Sequence, residues 1–205
     1  MIYQPIALAA ERRSDLSLKR TVVLTETNYA VTAEQLDPTT VAGHTVMEYV
    51  SRLTPENQPV FITYNGTPIV ERLHRHTQFD LKHIDFFRIL ISLPELSKHG
   101  ASLPLALKTL TGEVVGDSTS MPAISRIYLE AHCICKAFKA YMESDDAMSY
   151  EAMLKYMEKP RALERIYFGP HIGKRFVDLP SKYVDYLRRL SPVPADLTET
   201  LKSLI

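Results

Sequence analysis

Gly169 and Gly173 stand four residues apart in Phe168-Gly169-Pro170-His171-Ile172-Gly173-Lys174-Arg175-Phe176, between two apolar runs, and they leave the backbone little choice there. Glycine reaches left-handed conformations without steric cost, so the segment reads as a tight turn that shows basic side chains at its tip. Asp178-Leu179-Pro180 then leads into Tyr183-Val184-Asp185-Tyr186-Leu187-Arg188-Arg189-Leu190. A small C-terminal hairpin-and-helix module is the expectation.

The rest of the chain is long enough to carry a main core of its own. With 205 residues, 45% hydrophobic and 23% charged, it has the make-up of a soluble globular protein that buries roughly 70% of its unfolded surface. Formal net charge is zero, so no global field draws it towards nucleic acid or anionic lipid, and any such binding must come from a local patch. Met1 to Ala10 is apolar but short, lacks a preceding basic residue and meets Glu11-Arg12-Arg13 at once, which fits neither a signal peptide nor a membrane span. A cytoplasmic protein without membrane contact is expected. Cys133 and Cys135 lie two apart in a helical pattern, point in divergent directions, and read as reduced thiols.

Along the chain the pattern is an α/β alternation. Tyr3 to Ala10 and Lys19 to Thr27 read as two antiparallel strands, the second rich in β-branched residues (Thr21-Val22-Val23-Leu24-Thr25). Thr45 to Leu53 has helical spacing. Val60-Phe61-Ile62-Thr63-Tyr64 is a short continuous apolar run that suits a strand buried on both faces, closed by Asn65-Gly66. Ile69 to His76, His83 to Ile91 and Ser102 to Leu110 fit helix and strand alike. From Met121 to Tyr141 one apolar face recurs at helical period through Ile124, Ile127, Tyr128, Ala131, Ile134, Cys135, Phe138 and Tyr141. Ser144-Asp145-Asp146 breaks it, which divides the chain into residues 1–145 and 146–205, the latter opening with a short helix over Ser149 to Glu158.

Phe168, Gly169, Gly173, Lys174, Pro180, Tyr183 and Leu187 stand at the places of an FGK-x-x-GK turn followed by P-x-x-Y-L-x-W-L, with Pro170 for the first lysine and Tyr186 for the tryptophan. In this the segment resembles the C-terminal module of the exonuclease X group within the DnaQ-like exonucleases of the DEDD class. The upstream order is similar to that family too. Pro5 to Ala10 resembles its second strand and Thr21 to Thr25 its third. Thr63-Tyr64-Asn65-Gly66-Thr67 resembles the A-H-N-x-S segment, His83 to Leu90 the segment around D-T-x-x-L-A-R, and Pro122-Ala123-Ile124 the start of the helix with H-x-x-x-x-D. The resemblance implies a ribonuclease H-like mixed sheet flanked by helices, in which four carboxylates hold two divalent ions that activate water, with a histidine as base.

Carried over residue by residue, the catalytic set is lost here. The strand that should bear D-x-E has no counterpart, since Pro5-Ile6 already matches the second strand, and Leu24-Thr25-Glu26-Thr27 lies too close to Asn65 to be it. Four residues after Asn65 the aspartate position holds Ile69, and at the last motif the histidine and aspartate positions hold Met121 and Arg126. An arginine in place of a carboxylate beside a dication turns attraction into repulsion of about 8 kcal/mol at about 4 Å and an effective dielectric near 20. Arg126 then either holds a phosphate or an acid in the metal's place, or pairs with Glu130 one turn on. A missing strand would also leave a sheet position open to a second copy or a partner strand.

Other chemistry finds no support. His74, His76 and His83 with Asp80 and Asp85 match no zinc spacing, and there is no glycine elbow around a Ser or Cys and no phosphate-cradling loop. No cofactor is expected. The one concentration of positive charge is His171, Lys174 and Arg175, with Arg161 and Arg165 before it and Arg188-Arg189 after. Three readings stay open for it: a grip on single-stranded nucleic acid, a docking surface for a protein partner, or a solvated turn. The implied function is a catalytically inactive adaptor or nucleic-acid-binding subunit of a larger assembly. The alternative is an active metal-dependent 3′-to-5′ exonuclease completed by ligands elsewhere or by a partner.

Overall fold

The structure, a computed structural model, describes residues 3–12, 18–24, 58–66, 70–71, 74, 81–116, 118–190 and 194–204. The helix expected over Thr45 to Leu53, and the position of Ile69, lie outside the described residues. The fold is mixed α/β. Strands β1 (Tyr3–Arg12), β2 (Leu18–Leu24), β3 (Gln58–Thr63) and β4 (Lys82–Asp85) form one sheet in the order β2-β1-β3-β4. β1 and β2 are antiparallel, as the sequence pattern predicts, whereas β1, β3 and β4 run parallel. Tyr3 pairs with Gln58 and Ala7 with Ile62, while Val60 pairs with Lys82 and Thr63 with Asp85.

This pairing corrects one expectation. β1 bonds β2 along one edge and β3 along the other, so no vacant strand position separates the hairpin from β3. The argument for a second copy or partner strand entering there falls with it.

Val60, Phe61, Ile62 and Thr63 are all buried, which is what a continuous apolar run achieves when both faces of its sheet are covered. β1 divides its side chains by face. Ala7 and Ala9 join the core beneath α4 (Ala123–Met142), while Ile6 and Leu8 are buried on the other side. Small residues on the helix side let a long helix lie close to the strands. α4 rests on β1, β2 and β3 and also packs against α3 (Leu103–Thr111), whose N-cap Ser102 accepts a bond from the Leu105 N–H. The aromatic face of α4 closes the core through edge contacts of Phe138 with Phe86 at 5.2 Å.

The break at Ser144-Asp145-Asp146 ends α4 but not the core. α5 (Tyr150–Met157) packs on β4 and buries Met153 in the first cluster, so the packing passes to a second cluster only after residue 158. That cluster comprises Ile166, Phe176, Leu179, Leu187, Leu197 and Leu201, gathered from the turn and from helices α6 (Ser181–Arg188) and α7 (Ala195–Lys202). Among the described residues no helix is long and apolar enough to cross a membrane.

The turn itself is built as its glycines predict. Gly169 and Gly173 have φ of 75° and 81°. Antiparallel bonds link Ile166 N–H to the Lys174 carbonyl (2.9 Å), Gly173 N–H to the Ile166 carbonyl (2.7 Å) and Phe176 N–H to the Glu164 carbonyl (3.0 Å). Between them Gly169–His171 forms a single 3₁₀ turn.

Candidate functional site

In a parallel α/β sheet, ligands meet the crevice at the carboxyl ends of the strands, so chemistry is expected of the residues there. β3 ends at Thr63 and β4 at Asp85, side by side in register. Asp85 is 3% exposed and N-caps α1 (Phe86–Leu90), accepting bonds from the Asn65 N–H at 2.8 Å and the Phe87 N–H at 3.2 Å. Asn65, where the resemblance places a former active-site residue, is exposed and holds φ at 51°. This is a left-handed position that asparagine tolerates better than most residues. Asn65 thus turns the chain, and Asp85 fixes the turn from the next strand.

Tyr64 follows β3 directly. Burial first, then the Asp85 and Glu130 carboxylates, push its phenol well above the ordinary range, so it remains an O–H donor at any physiological pH. Its hydroxyl is enclosed without a hydrogen-bond partner among the described residues. Between β3 and β4, Thr63 Oγ1 and His83 Nε2 are 2.8 Å apart. Burial, reinforced by the Arg88 guanidinium, lowers the His83 pKa from its ordinary value of 6.5 to about 4. Neutral His83 is therefore the folded form. Because the unfolded chain takes up this proton first, the contribution is complete above about pH 6.5 and is lost as pH falls towards 4, by up to about 3 kcal/mol. Urea unfolding at pH 7.5 and 4.5 checks this: His83→Gln is expected to flatten the pH dependence of stability, and an unchanged slope would show that His83 carries none of it.

The remaining positions that the resemblance assigns to an active site lie on α4 and its approach. Met121 is 40% exposed just before the helix, and Arg126 is exposed in its second turn. Neither side chain supplies a carboxylate that could ligate a metal ion. Nor does any group of three His, Cys, Asp or Glu side chains among the described residues come close enough to hold a metal ion.

The C-terminal cations separate into two kinds. Arg165 is structural: it donates to the Gly173 carbonyl at 2.9 Å and lies 3.6 Å from Glu164. Arg175 stands opposite it across the one bridge of the turn and approaches the same Glu164 at 3.9 Å, with its side chain 54% exposed. Lys174 is exposed. His171 is half-buried, its ring edge-on to Tyr183 with centroids 4.5 Å apart. Arg188 is exposed on α6 and reaches Asp185 at 3.5 Å, so its charge is partly matched.

The turn does not project freely. A side chain at Gly173 would overlap the Lys98 carbonyl oxygen, and one at Gly100 would meet Ile172. Both glycines are sites of close approach between the module and the segment after α2 (Pro94–Ser97). The turn therefore holds Lys174 and Arg175 outward on a backbone that is docked against the 98–100 segment.

Two further links fasten the module to the first core. Tyr64, Phe87, Tyr167 and Phe168 make successive edge contacts at 5.3, 5.0 and 4.9 Å. Burial, then the Asp196 and Asp85 carboxylates, push the Tyr167 phenol up to about 12. Arg88, in α1, grips Asp196 at the start of α7 with two bonds of 2.7 and 2.8 Å, and donates to the Met157 and Lys159 carbonyls at 3.1 and 2.8 Å. Asp196 also accepts the Arg161 N–H at 2.8 Å, while the Arg161 guanidinium lies 4.2 Å from the Tyr156 ring centre. Sequence reasoning passes over Arg88 and Asp196 because partners 108 residues apart leave no local pattern. No family model and no curated protein matches the chain.

Proposed function

We propose that the chain is a non-catalytic protein of ribonuclease H-like plan whose C-terminal module binds single-stranded nucleic acid as part of a larger assembly. The observation that carries this reading is the separation of charge. Residues 159–190 contain eight Lys and Arg against three Asp and Glu, in a chain whose formal net charge is zero. Of those cations, Lys174, Arg175, Lys182, Arg188 and Arg189 are exposed, so a basic module sits on an acidic remainder. A phosphate backbone answers to such a local field, because neutralising it releases counterions.

Support for the non-catalytic half of the reading comes from Ile69, Met121 and Arg126, which stand where the resemblance puts an aspartate, a histidine and an aspartate. Met121 and Arg126 offer no carboxylate, and Arg126 would repel a divalent ion. Asp85, the buried acid at the strand ends, is occupied in holding Asn65 and capping α1.

Fluorescence anisotropy with labelled single-stranded DNA and RNA, over a series of salt concentrations, tests both halves. Binding is expected to weaken steeply with salt, with a log-log slope near −0.7 per phosphate contact, and to fall roughly tenfold or more on joint Lys174→Ala and Arg175→Ala substitution. Absence of binding to either nucleic acid at low salt overturns the reading and leaves a protein partner for this surface. Shortening of the oligonucleotide with magnesium or manganese, abolished by Asp85→Asn or Glu130→Gln, would establish the active exonuclease instead.

A further inference from the structure

We infer that the nucleic-acid surface is a stacking platform on α6, with Tyr186 as its open ring, and not the docked turn alone. This deepens the binding reading above and rests on it. Tyr186 is 52% exposed, an unusual state for a large aromatic side chain. It is not an isolated ring. Tyr186 lies 5.5 Å from Tyr183 at an interplanar angle of 33°, and Tyr183 in turn meets His171 at 4.5 Å. The row is anchored through its middle ring, since Tyr183 is half-buried against the second core and its hydroxyl lies over Gly169. Only the outer ring has an open face.

The charges around this ring fit one class of partner. Lys182, Tyr186 and Arg189 follow one another at helical spacing on a single face of α6 and its C-cap, and Lys182 and Arg189 are exposed. Asp185 shares that face, but Arg188 stands 3.5 Å from it. Lys174 and Arg175 lie three and four residues beyond His171 at the other end of the ring row, and among the described residues Glu164 pairs with Arg165 and Arg175. Aromatic rings flanked by cations take up bases by stacking while the cations follow the phosphates, and this tolerates any sequence because every base has a π-face. A double helix has its bases already stacked, so the platform selects single strands.

Anisotropy with a twelve-nucleotide oligo-dT and an abasic strand of the same length and charge tests the platform. Wild-type protein is expected to bind oligo-dT at least fivefold more tightly than the abasic strand, and Tyr186→Ala to remove that preference while leaving abasic binding unchanged. Tyr186→Phe is expected to keep it, since the ring and not the hydroxyl stacks. The Lys174→Ala, Arg175→Ala pair should weaken both strands alike. Equal binding of the two strands, insensitive to Tyr186→Ala, would overturn the stacking platform and leave electrostatic binding standing. Failure of both strands to bind would instead overturn the function proposed above.

Discussion

Arg88→Ala is expected to lower the stability of the protein by about 3 kcal/mol and its melting temperature by roughly 6 to 12 °C. The guanidinium is 18% exposed and its Asp196 partner 13%, so the pair is neither in open water nor fully sealed. Removing the arginine leaves a nearly buried carboxylate whose remaining side-chain bond among the described residues is to the Arg161 N–H, and it strips the Met157 and Lys159 carbonyls of a donor. Leaving such groups unpaired costs more than the pair itself contributes. Asp196→Asn is expected to cost less, because the amide oxygen can still accept from Arg161. Arg88→Lys should fall between, since an ammonium carries the charge but cannot reproduce a two-pronged grip. Lys136→Ala provides the comparison, because its pair with Glu113 is 41% and 53% exposed and is worth less than about 1 kcal/mol. Calorimetric and urea melts of the four variants check the ordering. A change within about 1 kcal/mol for Arg88→Ala would show that the clasp is not what holds the module.

That clasp also shows where legibility in the sequence stops. The run from Val60 to Tyr64 announces a strand covered on both faces because every residue in it is apolar or easily hydrogen-bonded, and the structure buries four of the five. The helix expected from Met121 to Tyr141 is found at Ala123–Met142, since twenty residues of one period leave little ambiguity. His83 to Ile91 resists reading for a physical reason: strand passes into helix at Asp85 with no intervening turn. The bond that makes this possible comes from Asn65, twenty residues away. Function follows the same division. The basic residues and Tyr186 are visible as letters, and the charge excess of the module can be read directly. What each cation does is not legible, because both Arg165 and Arg175 approach Glu164 and it is the Gly173 carbonyl, brought by the fold, that holds Arg165.

Gly173→Ala is the substitution expected to have the other large effect, a loss of at least about 3 kcal/mol. Two costs add at this position. A φ of 81° is left-handed, which costs an alanine roughly 1 to 2 kcal/mol, and the new methyl would overlap the backbone carbonyl oxygen of Lys98, which cannot rotate aside as a side chain could. Gly112→Ala separates the two. Its φ is 77°, yet no atom lies within 4 Å of the methyl it would gain, so only the conformational cost applies, about 1 kcal/mol. Urea melts of the two variants should therefore differ by about 2 kcal/mol or more. Trypsin gives an independent reading, since a turn pushed off the 98–100 segment exposes Lys174 and Arg175 to faster cleavage than in the wild type, and Gly112→Ala should leave that rate unchanged. Equal losses at the two glycines, with cleavage unaltered, would mean that the turn does not rest on Lys98. The basic tip would then be free to meet a partner directly, and Gly173 would serve the turn alone.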